Sequence, residues 1–241
     1  MQLLFEQFPA LAAIKICRHV FAQRIPGIDV SAEKAEVLER LDAAHREIRK
    51  ATGFGDWPLF TVKQIHGNKI AVIDGVGSAL RADRGRRGAT SLPGQEFPGC
   101  DGIITNQRGV ALGIYVADCC AVYIVDPKTP AIGLVHSGSK GTELGVVAKA
   151  IDQMTEDFAS EPANMIVQLS PCVRPPHYEI DFASEIIRQC CALGVQQVND
   201  SGTCTACDLG RYYSYRAEKG KTGRMLAVLG FDPKNRESDE K

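Results

Sequence analysis

The sequence lacks several features that mark common protein classes. It has no run of 18 or more apolar residues, the length that a membrane-spanning helix needs. It begins Met1-Gln2-Leu3-Leu4-Phe5-Glu6 without a basic segment before an apolar run, so we expect no secretory signal. Its 28 Lys and Arg against 29 Asp and Glu give a net charge of −1. Nucleic-acid binders usually carry a basic excess, so we expect neither nucleic acid nor membrane as a partner.

The motifs of several large enzyme classes are also missing. There is no Gly-x-Gly-x-x-Gly after a strand, no Walker phosphate loop and no Gly-x-Ser-x-Gly elbow. We find no internal repeat and no linker in the 241 residues. Strand and helix patterns mix without regular alternation, which predicts a single α+β domain over residues 1–231. The polar residues 232–241 are predicted to form a disordered tail.

The nine cysteines predict a reduced protein. Their number is odd, and two pairs are adjacent, Cys119-Cys120 and Cys190-Cys191, where disulfide geometry is poor. A disulfide framework is typical of short secreted chains, so we expect a cytoplasmic protein in which most thiols fill the core.

Hydrophobic periodicity predicts the following elements. Helices are expected at residues 31–50 (capped by Ser31), 142–158 and 181–193. Residues 58–66 and 69–73 have strand patterns, and Gly67-Asn68 between them predicts a hairpin. Residues 110–125 are apolar and β-branched and predict one long buried strand, followed by strands at 131–136, 165–169 and 224–229. The glycine- and arginine-rich residues 75–100 predict a solvated loop or, alternatively, a lid over a phosphate-bearing ligand.

Two histidines and a cysteine are the strongest candidates for chemistry. His66 and His136 each end an apolar strand just before a glycine loop, and Asp118-Cys119 interrupts the long apolar segment between them. Two imidazoles and one thiolate can hold Zn²⁺ and leave a fourth position open, as in catalytic zinc sites. Such widely spaced residues are also found as ordinary core residues, so spacing alone leaves both interpretations open.

Two shorter motifs have alternative interpretations. Cys204-Thr205-Ala206-Cys207 is either a ligand or redox pair, or two thiols packed in a loop. Residues 137–141 open a helix, so their N–H groups and Lys140 could hold an anion there.

Four ordered blocks resemble the laccase-domain family, also described as a purine nucleoside phosphorylase family and as a peptidoglycan-editing factor family. Gln64-Ile65-His66-Gly67 resembles its Gln-Val-His-Gly, and Asp101 to Thr105 with Ala117-Asp118-Cys119 resembles its Asp-Ala-Leu-Val-Thr and Ala-Asp-Cys. His136 to Gly141 resembles its His-Ala-Gly-Trp-Arg-Gly, with Ser139-Lys140 in place of Trp-Arg. Cys204-Thr205, Tyr213 to Arg216 and Thr222 to Met225 resemble its C-terminal signature.

The resemblance implies a four-layer α/β/β/α fold and a zinc site formed by His66, Cys119 and His136, which would also be the catalytic residues. It implies phosphorolysis or deamination of adenosine, with inosine, guanosine and methylthioadenosine as related substrates. Gln64 shares a strand face with His66 and is expected to contact the nucleoside. Lys140 and Arg24 are expected to hold phosphate.

Several rival functions stay open at this point. One is a hydrolase that edits peptidoglycan precursors with the same zinc. Another is a polyphenol oxidase with a single copper, since five histidines without a His-x-His pair are too few for four coppers. The others are a non-catalytic metal-binding protein and a metal-free Cys119–His136 thiol hydrolase.

Overall fold

Two six-stranded sheets dominate the computed structural model, which describes residues 4–74 and 95–233. The strands are β1 (Phe5–Glu6), β2 (Cys17–Ala22), β3 (Leu59–Lys63), β4 (Ile70–Ile73), β5 (Glu96–Pro98), β6 (Gly102–Thr105), β7 (Ala111–Val116), β8 (Cys120–Asp126), β9 (Ala131–Ser137), β10 (Ile166–Leu169), β11 (Gln197–Asp200) and β12 (Met225–Phe231). The helices are α1 (Pro9–Ala12), α2 (Lys34–Ala51), α3 (Ser139–Glu143), α4 (Val146–Phe158) and α5 (Phe182–Ala192).

The first sheet has the order β1-β2-β12-β7-β3-β5 and the second has the order β11-β10-β8-β9-β6-β4. Both mix parallel and antiparallel pairs. In the second sheet, β8 and β9 run antiparallel with Cys120 opposite Ser137 and Asp126 opposite Ala131. This register brings the residues just before β8 close to the end of β9, so Cys119 and His136 meet at one edge.

The side chains of β8 show how the layers pack. Tyr123 and Val125 belong to the core between the two sheets, whereas Val122 and Ile124 belong to the core under the second sheet's helices. A strand covered on both faces needs apolar residues at every position, which explains why this segment does not alternate with polar residues.

Helices cover the outer face of each sheet. The apolar face of α2 packs on the first sheet, and α4 and α5 pack on the second. The layers therefore follow the order helix, sheet, sheet, helix, and the predicted α+β, four-layer α/β/β/α fold is confirmed. No helix within the described residues is both long and apolar enough to cross a membrane.

Two predicted connections are wrong. The strands on either side of Gly67-Asn68 are not a hairpin, because β3 pairs with β7 and β5 in the first sheet while β4 pairs with β6 in the second. The predicted strand 110–125 is two strands, β7 and β8, one in each sheet. Asp118 lies between them with φ at +81°, a left-handed conformation that turns the chain from one sheet to the other.

Helix boundaries also differ from the predicted ones. Glu33, not Ser31, precedes the first turn of α2, and the Ser31 hydroxyl donates to Asp29 instead. The helix expected at 142–158 is divided into α3 and α4, because Gly145 has φ at +67°. Residues 75–94 of the predicted Arg-rich loop and 234–241 of the predicted tail lie outside the described residues. Asp232, the first tail residue, accepts hydrogen bonds from the Arg18 guanidinium.

Candidate metal centre

His66, Cys119 and His136 come together where the chain passes from the first sheet to the second. Their nitrogen and sulfur ligand atoms all lie within 4.8 Å of one another. The centroids of the two imidazole rings are 4.9 Å apart, and the rings have an edge-to-face orientation. His66 is exposed, Cys119 half-buried and His136 buried. Of the His, Cys, Asp and Glu side chains in the described residues, these three alone group closely enough to hold a metal ion.

Asp101 orients two of the three candidate ligands. Its buried carboxylate accepts from His136 Nδ1 at 2.9 Å, from the His66 amide at 2.8 Å and from the Gly67 amide at 2.7 Å. With Nδ1–H engaged, the Nε2 lone pair of His136 is directed to the centre. Sequence reasoning did not assign Asp101 a role, although an acidic residue directly before the apolar strand β6 was a usable signal.

Gly138 leaves room for the Cys119 thiol. A Cβ atom at position 138 would lie 2.5 Å from Cys119 Sγ and 3.9 Å from His66 Cδ2. Non-bonded heavy atoms settle roughly 3.5–4.0 Å apart, so only glycine allows the thiol its present position. The glycine loop after β9 is thus shaped around a ligand atom.

Burial governs the protonation of the site. It raises the pKa of the Cys119 thiol to about 12, and the neighbouring Asp118 charge acts in the same direction. It also lowers the pKa of His136, against the opposing hydrogen bond to Asp101. Both shifts favour neutral ligands in the metal-free protein. Coordination of a divalent cation deprotonates a thiol and so compensates for this desolvation.

Asp118, the charge that interrupts the apolar segment, points away from the metal ligands. Its Oδ1 accepts from the Thr205 hydroxyl at 2.7 Å, and its Oδ2 accepts from the Arg216 amide at 2.6 Å. The carboxylate therefore fastens the loop before Cys119 to the 204–207 and 211–220 segments. This explains the buried charge without making it a ligand.

A cavity of about 780 Å³ opens at the three candidate ligands. Four aromatic side chains line it: Tyr115, Tyr178, Phe182 and Tyr215. Four cationic side chains line it as well: Lys34, Arg216, Lys219 and Arg224. Sequence reasoning gave none of these eight residues a role, although Tyr215, Arg216 and Arg224 lie in the blocks that resemble the C-terminal signature of the family.

The predicted substrate-binding residues have different surroundings. Gln64 lines the cavity beside His66, and its Nε2 donates to the Tyr115 carbonyl at 2.7 Å. Arg24 does not line it: its guanidinium pairs with Glu218 at 2.6 Å and lies 4.4 Å from the centre of the Tyr213 ring. Lys140 is exposed and also lies outside the lining. The role of all three in substrate binding stays a prediction.

Cys204 and Cys207 lie at either end of a single 3₁₀ turn. The backbones of Cys204 and Cys172 form an isolated parallel β-bridge. The side chains of Cys204 and Cys207 are free thiols. Within the described part of the chain no group of three metal ligands includes them. The Thr205 hydroxyl between them reaches Asp118, so the turn supports the loop that carries Cys119.

Fold and site define an α+β protein with a candidate His₂Cys centre in the lining of a cationic, aromatic cavity. The family model for multi-copper polyphenol oxidoreductase laccases matches residues 20–187 and 177–232. The chain belongs to this family.

Curated relatives match most of the chain, and a solved structure shares its fold. The chain is 29% identical over 194 residues to a protein of Corynebacterium glutamicum named purine nucleoside phosphorylase Cgl2154/cg2365, covering 70% of this chain and 72% of that one. It is 27% identical over 244 residues to purine nucleoside phosphorylase YlmD of Geobacillus stearothermophilus, covering 87% and 84%. The crystal structure of that YlmD superposes with a TM-score of 0.73 at 21% identity, covering 96% of this chain and all of the other.

Proposed function

We propose that the protein is a zinc-dependent purine nucleoside phosphorylase. The observation that carries the proposal is the open His66–Cys119–His136 centre at the base of a cavity that offers both aromatic and cationic side chains. The names of the relatives in Corynebacterium and Geobacillus give the substrate class.

The donor set fits a metal ion. Two imidazoles and a thiol converge, Asp101 holds one of the imidazoles by its second nitrogen, and Gly138 keeps the space beside the sulfur empty. Three nitrogen and sulfur ligands with an open fourth position are typical of catalytic zinc. Zinc bound there would supply a Lewis acid beside the substrate.

The remaining cavity residues bind and orient a nucleoside in this proposal. A purine is flat and apolar on both faces, and it can stack on the aromatic walls formed by Tyr115, Tyr178 and Tyr215. Because the Gln64 Nε2 donates to the Tyr115 carbonyl, the Gln64 Oε1 is held as an acceptor for a base or ribose donor.

In phosphorolysis a phosphate oxygen forms a bond to the ribose C1′ while the bond from C1′ to the purine nitrogen breaks. The phosphate proton passes to the leaving purine, so adenosine and phosphate give adenine and ribose 1-phosphate. The protein holds both reactants in one pocket, which converts a bimolecular encounter into a positioned reaction.

Product analysis tests the proposal. Adenosine, inosine and guanosine are incubated with zinc-loaded protein, with and without phosphate, and the products are separated by chromatography. Free base that forms only with phosphate supports the proposal. Inosine formed from adenosine in both conditions would show deamination instead. His136→Ala should lose turnover and zinc together, and full activity in that variant would reject the site.

The other functions are separate outcomes of this assay. No reaction on any nucleoside would reject the proposal; cleavage of muropeptide precursors would then indicate an editing hydrolase. Oxidation of a polyphenol by copper-loaded protein would indicate an oxidase. Bound zinc without any turnover would indicate a metal-binding protein. We also propose a reducing, cytoplasmic environment, because the centre needs Cys119 as a thiolate rather than in an oxidised form.

A further inference from the structure

The side chain of Arg224 lines the cavity without a carboxylate partner. Its Nη1 donates to the carbonyls of Thr222 at 3.0 Å and Gly223 at 2.8 Å, which fixes the guanidinium just before β12. The guanidinium carbon of Arg224 lies 5.8 Å from the centre of the Tyr215 ring. Among residues 4–74 and 95–233 no Asp or Glu forms an ion pair with it.

Lys34, the first residue of α2, lines the same cavity. It too forms no ion pair with any carboxylate in the described ranges. Desolvation lowers the pKa of Lys34 and the Arg224 charge lowers it further, whereas the charges of Glu96 and Asp101 act in the opposite direction. Two like charges that form no direct ion pair are costly at a partly buried site, and an anion bound between them would reduce this cost.

Two other cationic groups near the cavity already pair with carboxylates, whereas Lys219, which also lines the cavity, is exposed to solvent. Arg216 pairs with Glu179, and Arg24 pairs with Glu218. Asp118, the carboxylate in the lining, has both oxygens engaged by Thr205 and the Arg216 amide. An anion between Lys34 and Arg224 therefore has no competing protein carboxylate that already pairs with either cation.

We propose that Lys34 and Arg224 form the subsite that binds orthophosphate beside the metal centre. Phosphate is a dianion near neutral pH, which matches two cations, and a guanidinium presents paired N–H donors in the spacing of two phosphate oxygens. The proposal rests on the phosphorolysis proposed above and assigns the phosphate to these two residues rather than to Arg24 and Lys140.

The geometry also gives the subsite a role in the reaction. Lys34 and Arg224 line the same cavity as the candidate metal ligands His66, Cys119 and His136. A phosphate held there faces a nucleoside stacked on the aromatic walls. Lys34 and Arg224 stabilise the phosphate before attack and the sugar phosphate after it.

Direct binding of inorganic phosphate provides the first test. The melting temperature of the zinc-loaded protein is measured against phosphate at fixed ionic strength, with chloride as the reference salt, since a ligand that binds only the folded state stabilises it. The half-saturating phosphate concentration should rise at least tenfold in Arg224→Gln and in Lys34→Gln. Arg224→Lys keeps the positive charge without the paired N–H donors, so its half-saturating phosphate concentration should lie between those of the unmodified protein and Arg224→Gln. If Arg224→Gln does not fold, Arg224→Lys takes its place in this test.

The matched control is Lys128→Gln. Lys128 is exposed in the turn between β8 and β9, six residue steps along β8 from the end beside Cys119. At about 3.3 Å per residue, the length of β8 separates this turn from the Cys119 end of the strand by roughly 20 Å. Phosphate binding should not change in this variant. Loss of phosphate binding in Lys140→Gln with unchanged binding in Arg224→Gln would overturn the proposal.

Kinetics separate this inference from the proposed function. If nucleosides are cleaved, Arg224→Gln should raise the KM for phosphate at least tenfold, and Arg224→Lys should raise it by a smaller factor, with less than a twofold change in the KM for the nucleoside in both variants. Cleavage with an unchanged phosphate KM in both Lys34→Gln and Arg224→Lys rejects the subsite alone. Arg224-dependent phosphate binding without any nucleoside cleavage upholds the subsite and rejects phosphorolysis.

Discussion

Gly138→Ala is the substitution that tests the metal centre most directly. The added Cβ would lie 2.5 Å from Cys119 Sγ, about 1 Å closer than two non-bonded heavy atoms settle. The thiol or the loop must therefore move by about 1 Å. Ligand distances at metal sites hold within about 0.2 Å, so the displaced sulfur no longer completes the set with His66 and His136.

We expect zinc affinity to fall by about 10–100-fold, the range seen when the support of a metal ligand is disturbed. The assay is chelator competition, followed by metal analysis after dialysis. Gly141→Ala is the matched control in the same segment, because a Cβ there would meet Val146 at 3.4 Å and the Gly67 carbonyl at 3.5 Å, which are ordinary contacts. Unchanged zinc affinity in Gly138→Ala would refute the idea that this glycine makes room for a ligand.

Three further predictions concern Asp101, Arg24 and two buried histidines. Asp101→Asn removes the charge that accepts from His136 Nδ1, and zinc affinity should fall about 10–100-fold in chelator competition. Arg24→Leu leaves Glu218 without its cation, and urea unfolding should show a loss of about 1–3 kcal/mol; an unchanged midpoint would contradict this. Burial lowers the pKa of His19 and of His45 to about 4, so the unfolded state binds more protons as pH falls from 6.5 towards 4. Stability should drop by up to about 1.4 kcal/mol per pH unit for each histidine, and His45→Leu should reduce the slope measured by urea unfolding.

The three longest helices and the strands β3, β4, β9, β10 and β12 were predictable because local pattern fixes them, whereas α1, β1, β2, β5, β6 and β11 were not predicted. The predicted helix at 31–50 is α2, and the predicted strand at 131–136 is β9. The sheet to which each strand belongs was not predictable in the same way. The turn at Gly67-Asn68 has hairpin composition, but pairing depends on partners that are distant in the chain.

The division of residues 110–125 into two strands at Asp118 was not predictable from local pattern either. The segment 110–125 is apolar throughout because both of its strands are buried, and its composition alone does not reveal the left-handed residue that divides them. A single interrupting charge was the available signal. Its hydrogen bonds to Thr205 and the Arg216 amide, which explain the charge, come from segments about 90 residues away.

By itself the sequence offered His66, Cys119 and His136 as candidates beside glycine loops at strand ends, and the family resemblance grouped them as one site. It also determined the class of fold, through the lengths and periods of its apolar segments. Only the tertiary structure decided which charges face the cavity. Arg24 lies against Glu218 whereas Arg224 and Lys34 line the cavity, because ion pairing and burial depend on the packing of elements far apart in the chain.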